Sequence, residues 1–504
     1  MKPASKSVRC QRRRNSYCSA RGISELPIDF HSGGMFVLSQ ARTVAPNASC
    51  SGVSERSISP PEGGPDEQLN GGSFSNPSSV KSRLILRPTV ISISLPRLTS
   101  RINGLARFGG LPGGGVTRMC WSPPHEEARA WLLGEMRAAG LETWVDPAGN
   151  IFGATGIRAL RPETPVVLTG SHIDTVPEGG ILDGALGVLA GLECLQAIGE
   201  SRTRHARPLV VAAWSDEEGR YGSLFGSRAF CGMLEGAGLD DMAAVDGVRL
   251  VDAMARAGFD AQRAPQARVP PGSVAAYVEL HIEQGPRLEE AGIPIGVVEA
   301  IVGVRRSRVI FLGQADHAGT TPMERRRDAF LAAADYALRV REHVVTRGSK
   351  ASVTNFGVVH VHPGASNIVP GRAELVHEMR DPDVSVLERL AEECAALARA
   401  VAGARQVGVE IHPMSATTPA PCSPRVQAVT EKICATLGLA TRRLYSAAGH
   451  DAQNLARVTD SGMIFIPSLG GRSHRVDEMS DWHAIERGAN ALLHTLLALA
   501  DVTA

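Results

Sequence analysis

Four short apolar runs constrain this chain most: "TPVVLTGSH", "RPLVVAAWSDEEG", "VAAYVELHIEQG" and "MIFIPSLGGRSH". Each is of strand length, rich in aliphatic residues and bounded by polar or glycine-containing ends, which reads as a buried strand. The helical run "GALGVLAGLECLQAIG" lies between the first two. Strands alternating with helices imply an α/β fold around a mostly parallel sheet, buried on both faces. In such sheets ligands bind just beyond the carboxyl ends of the strands. Here those ends carry His172 with Asp174, then Asp216, Glu217 and Glu218, then His281 with Glu283, and last His474. One polar strand end is an ordinary turn; four at one sheet edge imply a shared site.

The chain has 504 residues, more than the ~250–300 at which single cores stop growing, so more than one domain is expected. Residues 1–95 stand apart. "RCQRRRNSYCSARG" is basic and free of acids, and the following stretch is rich in Ser, Gly and Pro, a composition that cannot bury enough apolar surface to fold. This segment is expected to be a disordered extension or the product of a start codon assigned too far upstream. Its Arg- and Ser-rich start also resembles an organelle transit peptide. Globular patterning begins near "LPRLTSRINGLARFGG". The helix "SPPHEEARAWLLGEMRAAGL" follows, with Ser122 at its N-cap and Gly140 at its stop.

Residues 299–414 have a different rhythm. A strand in "VGVRRSRVIFLGQA" precedes a long helix over "PMERRRDAFLAAADYALRVREHVV", whose "ERRRD" run reads as a solvated face. Strands in "ASVTNFGVVHVHP" and "NIVPGRAELVHEMR", a helix in "VSVLERLAEECAALARAVAG" and a strand in "QVGVEIHPM" complete a β-α-β-β-α-β order, the ferredoxin-like arrangement. The expected organisation is a catalytic domain over 96–298 and 415–504 with an inserted domain over 299–414. A formal net charge of +1 gives no reason to expect a nucleic-acid or membrane-surface partner. No apolar stretch reaches the ~20 residues a bilayer crossing needs. The nine cysteines contain no Cys-x-x-Cys pair and read as reduced, buried thiols of a cytoplasmic protein.

Imidazoles and carboxylates at strand ends suit zinc or a similar divalent ion. In His172-x-Asp174 the histidine can ligate while the aspartate orients it. Asp183, flanked by glycines, can reach back to bridge two ions, which in hydrolases sit ~3.5–4 Å apart. The adjacent pair Glu217 and Glu218 suggests one ligand and one general base.

Seven segments occur in order: "GSHIDTVPEGGILDGALGVLAGLE", "SDEEGRYGSLFGSRAFCG", "ELHIEQGPRLEEAG", "GQADHAGTTPMERRRDA", "NIVPG", "GHDAQNLA" and "GMIFIPSLGGRSHRVDE". Together, from about residue 96 to the end, they resemble the amidase/carbamoylase branch of the dinuclear zinc aminoacylase–carboxypeptidase family. That branch includes N-carbamoyl-L-amino-acid hydrolases, beta-ureidopropionase, and allantoate and ureidoglycolate amidohydrolases. The resemblance implies two divalent ions per subunit, one held by His172, Asp183 and His281, the other by Asp183, Glu218 and His474. Zinc is expected, and manganese, cobalt or nickel suit the same ligands. It further implies Glu217 as general base and His317 as a contact to substrate or oxyanion, often from the partner subunit. Asn367 and Arg380 are implied as binders of a substrate carboxylate, with Gln284 a further substrate-site residue. His450 and Asp451 fall near the site, as outer support or a structural turn. The histidine of "HIEQG" points to the amidase branch. The family's Ser-Pro after the final histidine is replaced by "RVDE", with Glu478 in place, and Glu378 stands for a frequent aspartate.

The expected activity is metal-dependent hydrolysis of the linear ureido or carbamoyl C–N bond of an N-carbamoyl-L-amino acid (or N-carbamoyl-beta-alanine) by a homodimer. Allantoate or ureidoglycolate hydrolysis is the alternative, and a non-catalytic amino-acid-binding relative a third reading. A Ser-His-Asp hydrolase is disfavoured because no Gly-x-Ser-x-Gly elbow occurs.

Overall fold

The structure, a computed structural model, describes residues 91–236 and 238–501. The extension expected before residue 95 therefore lies almost wholly outside the described residues. Helix α1 spans Leu95–Ala106 and α2 Pro123–Ala138. Strands β1 (Glu142–Val145), β2 (Ile151–Ala154) and β3 (Val166–His172) lead into helix α3 (Ala185–Ser201), then β4 (Leu209–Trp214), β5 (Val274–Ile282) and β6 (Ile295–Ile301). A second group holds β7 (Gly303–Leu312), α4 (Ala329–Arg347), β8 (Val353–His362), β9 (Arg372–Asp381), α5 (Val384–Ala404) and β10 (Gly408–Thr417). The chain closes with α6 (Pro424–Thr436), β11 (Thr441–Ser446), β12 (Ser461–Ile466) and α7 (Trp482–Ala500).

The fold is mixed α/β. The large sheet has the order β1-β2-β4-β3-β5-β12-β6, and β11 also pairs with β6. Its centre, β4-β3-β5-β12, is parallel; β1, β2 and β6 join antiparallel at the flanks. Alternate side chains of each central strand serve different cores. Val167, Val278 and Ile464 pack with α1, α2, α3 and α7, whereas Val166, Leu168, Tyr277 and Phe465 pack on the opposite face. β3, β4 and β12 are buried throughout, which is why they read as unbroken apolar runs. The second group forms its own antiparallel sheet, ordered β10-β7-β9-β8, with α4 and α5 packed on it around Phe311, Tyr336 and Leu390.

Three local expectations are corrected. Ser122 stands at the N-cap of α2, yet its hydroxyl makes no capping bond and is buried without a partner. Helix α4 begins at Ala329, not Pro322, because the Asp328 carboxylate accepts from Phe330 N and Leu331 N at 2.9 and 3.0 Å. "ERRRD" is thus no helix face: Arg327 O accepts from Gln314 N, and Arg326 reaches carbonyls of the 318–321 loop. The run "NIVPGRAELVHEMR" is two strands, Ile368–Val369 and β9, parted at Pro370 and Gly371. Six described cysteines are free, and most are buried. Among the described residues no helix is long and apolar enough to cross a membrane.

Helix α3 bears on the strand-end site because its first turn continues from Asp183. It is apolar almost all round, and its one fully buried charge, Glu193, is held by a network. Glu193 accepts from Ser94 N at 2.8 Å, Arg97 Nε at 2.7 Å and Arg101 Nη1 at 3.0 Å. Removing one member of a buried ion pair strands the other charge. Glu193→Ala is therefore expected to lower unfolding free energy by about 3–5 kcal/mol in a urea titration.

Candidate metal centre

The parallel strands deliver their polar ends to one edge of the large sheet. His172 is the last residue of β3, and His281 the penultimate residue of β5. The Asp216–Glu218 loop follows β4 directly, and His474 follows β12 by a short turn. Asp183 stands before α3, and one carboxylate joins the group. Its Oδ1 lies 3.2 Å from His281 Nε2 and 3.7 Å from His172 Nε2; its Oδ2 lies 3.2 Å from His474 Nε2. Glu218 Oε2 is 3.6 Å from His474 Nε2, and Glu217 Oε2 is 3.6 Å from His172 Nε2. Potential ligand atoms of His172, Asp183 and His281 fall within 4.8 Å of one another, as do those of Asp183, Glu218 and His474.

The donor set fits a divalent cation. Burial pushes the Glu217 carboxyl well above its usual range, with Glu218 beside it adding to the effect. Glu218 rises to about 8 through burial and the Asp183 charge. Burial lowers His172 to about 4; it would lower His281 too, but the bond to Asp183 holds that ring near 9. His474 rises to about 9 through its bond to Asp183. More buried carboxylate is gathered here than the imidazoles can balance. Glu218 Oε1 is buried without a hydrogen-bond partner, a lone pair directed at no protein donor. A zinc-like ion takes imidazole nitrogen and carboxylate oxygen, and on binding it would displace the protons that Asp183 holds on His281 and His474.

The second layer fixes these groups. His172 Nδ1 meets the Asp174 carbonyl at 3.0 Å and its Oδ1 at 3.7 Å. The Asp174 carboxylate instead accepts from Glu217 N at 3.4 Å and Glu218 N at 3.2 Å. It orients the loop more than the ring. Gln284 Nε2 donates to Asp183 Oδ2 at 2.8 Å and to Ser473 Oγ at 3.2 Å. Ser473 Oγ donates to Glu478 Oε2 at 2.7 Å and lies 3.1 Å from Asp183 Oδ2, while the other Glu478 oxygen accepts from Leu182 N and Asp183 N. His450 packs its edge on His281, ring centroids 4.5 Å apart, and meets Ser446 Oγ at 2.8 Å; Asp451 beside it is fully buried.

Two strand-end acids have other work. Asp216 accepts from Arg220, Tyr221 and Gly222 N–H groups at 2.8 to 3.0 Å, and Glu283 caps the turn at Arg287 and Leu288. Neither belongs to the cluster. Glu279 does approach it, and sequence reasoning passed over it. It is fully buried, with Ser171 and Tyr277 hydroxyls donating to it, and within reach of His281 and His450. Period-two alternation in β5 places Tyr277, Glu279 and His281 on one face, so the signal was present.

The cluster lies in a cleft of about 810 Å³. His172, Asp183, Glu217, Glu218, Gln284 and His474 line one side, and Val302, Val304, Arg306, Arg380 and Thr417 come from around the second sheet. Arg380 Nε donates to Glu378 at 2.8 Å and Nη1 to Ala447 O at 2.7 Å. His317 and Asn367 do not line this cleft. His317 sits exposed on the short strand Asp316–His317, paired with Ile368–Val369, and Asn367 is exposed next to it.

Residues 168–498 match the model of peptidase family M20/M25/M40. The chain is 40% identical to an N-carbamoyl-L-amino acid amidohydrolase of Geobacillus stearothermophilus over 407 residues, 80% of this chain and 98% of that one. It is 37% identical to an allantoate amidohydrolase of Escherichia coli (strain K12), covering 79% and 96%. A crystal structure of a hydantoinase/carbamoylase-family amidase from Burkholderia multivorans superposes with a TM-score of 0.74 at 32% identity, covering 82% of this chain and 100% of the other. With most of the sheet and every strand-end ligand candidate inside the matched span, the chain belongs to peptidase family M20/M25/M40.

Proposed function

We propose that the protein is an amidohydrolase that cleaves the linear carbamoyl C–N bond of an N-carbamoyl-L-amino acid, releasing ammonia, carbon dioxide and the free amino acid. The observation that carries this reading is the single Asp183 carboxylate set between two ligand groups, with Glu217 beside them at the cleft. The amidohydrolase names of its relatives support a non-peptide C–N bond as the target. On this reading His172, Asp183 and His281 hold one ion, and Asp183, Glu218 and His474 a second. Zinc suits the set. When bound, such ions lower the pKa of water and polarise a carbonyl.

The chain's own residues do the rest. Glu217 takes a proton from the attacking water on its carboxylate and returns it to the departing nitrogen. The Arg380 guanidinium, already fixed by Glu378 and Ala447 O, grips the substrate carboxylate from the second sheet. The second sheet and its helices run from Gly303 to Thr417, a few residues beyond the 299–414 expected because Ile295–Ile301 pairs in the large sheet; this unit acts as an inserted lid and dimerisation domain on the catalytic domain. His317 and Asn367 then serve the cleft of a partner subunit. His317 Nδ1 accepts from Gly319 N at 3.0 Å and Thr320 N at 3.2 Å, which places the ring proton on Nε2 and makes that atom a donor for a developing oxyanion.

Metal analysis of the purified protein joined to ammonia release from carbamoyl amino acids and allantoate tests the reading; no turnover of any carbamoyl amino acid sinks it, and faster turnover of allantoate transfers the assignment to that substrate. Glu217→Gln is expected to keep bound metal and lose about 10²–10⁴-fold in kcat. Gly184 has φ +62° and an added Cβ would stand 2.3 Å from His172 Nε2, so Gly184→Ala is expected to weaken metal binding by about 10- to 100-fold in a chelator competition. Mixing Glu217→Gln with His317→Ala subunits is expected to restore turnover that neither homodimer shows; a mixture as inactive as its parents removes the trans contact.

A further inference from the structure

The loop that carries Glu217 and Glu218 is strained. Asp216 has φ +53° and Leu224 φ +61°, conformations that cost non-glycine residues of order 1–3 kcal/mol each. Something must hold the loop closed. Its two arms meet through three backbone bonds, Leu224 N donating to Glu217 O at 3.0 Å, Phe225 N to Asp216 O at 3.1 Å and, at the base, Gly226 N to Ser215 O at 2.7 Å. The basal bond leaves two backbone groups, Ser215 N and Gly226 O, without a partner from each other. Asn150, fully buried and remote in sequence, supplies both: its Oδ1 accepts from Ser215 N at 3.0 Å, and its Nδ2 donates to Gly226 O at 3.0 Å. The same Nδ2 donates to Asp146 Oδ2 at 2.8 Å, while Asp146 Oδ1 accepts from Ala148 N and Asn150 N, both at 2.9 Å. The Asn150 amide thus replaces one residue of a strand ladder, with its orientation set by Asp146. Nothing larger than glycine fits at position 226: a Cβ there would lie 2.1 Å from Asn150 Oδ1 and 2.4 Å from Ser215 N.

We propose that Asn150 is a positioning residue for the reaction, an amide clasp that closes the Ser215–Gly226 loop and so sets where Glu217 and Glu218 stand in the cleft. The inference rests on the roles proposed for those two acids in hydrolysis. The clasp touches neither His172 nor His281, so its loss separates the two metal positions. In the full-length protein, Asn150→Ala is expected to lower kcat for the best carbamoyl amino acid by about 10- to 100-fold with KM little changed. In zinc titrations it should weaken the Glu218–His474 equivalent and leave the His172–His281 equivalent at wild-type affinity.

A double variant keeps the test open should Asn150→Ala not fold. Asp146→Asn with Asn150→Asp restores an Asn–Asp pair in the hairpin, but it places a carboxylate oxygen where Gly226 O needs a donor. Recovery of thermal stability without recovery of kcat or of the weaker zinc equivalent supports the clasp. Recovery of all three, or wild-type kcat and zinc binding in folded Asn150→Ala, overturns it. The zinc readout stands even if no carbamoyl substrate is turned over, so failure of the substrate assignment and failure of the clasp give different results.

Discussion

The Asp183 carboxylate is the interaction on which the site depends. Its two oxygens face different imidazoles, so moving it by an ångström would break contacts toward His281 and His474 together. The fold holds it from three directions. Glu478 takes the backbone N–H groups of Leu182 and Asp183, Gln284 donates to Oδ2 with Ser473 Oγ beside it, and α3 starts immediately after it. A carboxylate anchored by donors that are neither lysine nor arginine keeps its charge available. That suits a group whose partner is a cation supplied from solution.

A rigid sheet under strained loops is the second theme. Asp216, Gln284 and His474 all adopt positive φ; the first two lie two residues past a parallel strand and His474 in the longer loop after β12. Such conformations persist where surrounding structure over-determines them. Here the hydrogen bonds are visible. Asp216 takes three loop amides, Gln284 N donates to Ser468 Oγ at 3.0 Å, and His474 sits between Asp183 and Glu218. Buried parallel strands have fixed register because both faces are packed, so the strain falls on the turns and stays there.

Much of this was legible in the sequence, for reasons that differ by element. The central strands announced themselves because burial on both faces leaves unbroken apolar runs, and their polar ends stood out against that background. The pairing of Asp183 with His281 and His474 could be inferred from joined motifs but not from spacing, since residues so far apart in the chain meet only through sheet order. Asp216 and Glu283 stand at the same strand ends yet serve their own loops. A carboxylate at a strand end can face the ligand or its own loop amides, and nothing local decides between them. Asn150 left no chemical trace at all, because an amide that completes a backbone ladder looks like any asparagine in a turn. The start of α4 was missed because "PMERRRD" has good helix propensity, and the competing bonds to the 314–321 loop are tertiary.

The two sheets contribute different residues to the cleft. The metal-binding candidates and Glu217 belong to the large sheet, whose parallel strands allow little movement. Arg380 comes from β9 in the antiparallel sheet, and Glu378 on the same strand holds both Arg380 and Arg306. Arg380 Nη1 donates to Ala447 O, just past β11 of the large sheet, so this side chain is tied across the cleft. The cleft is therefore lined by two sheets of different construction, joined by the bond from Arg380 to Ala447 O.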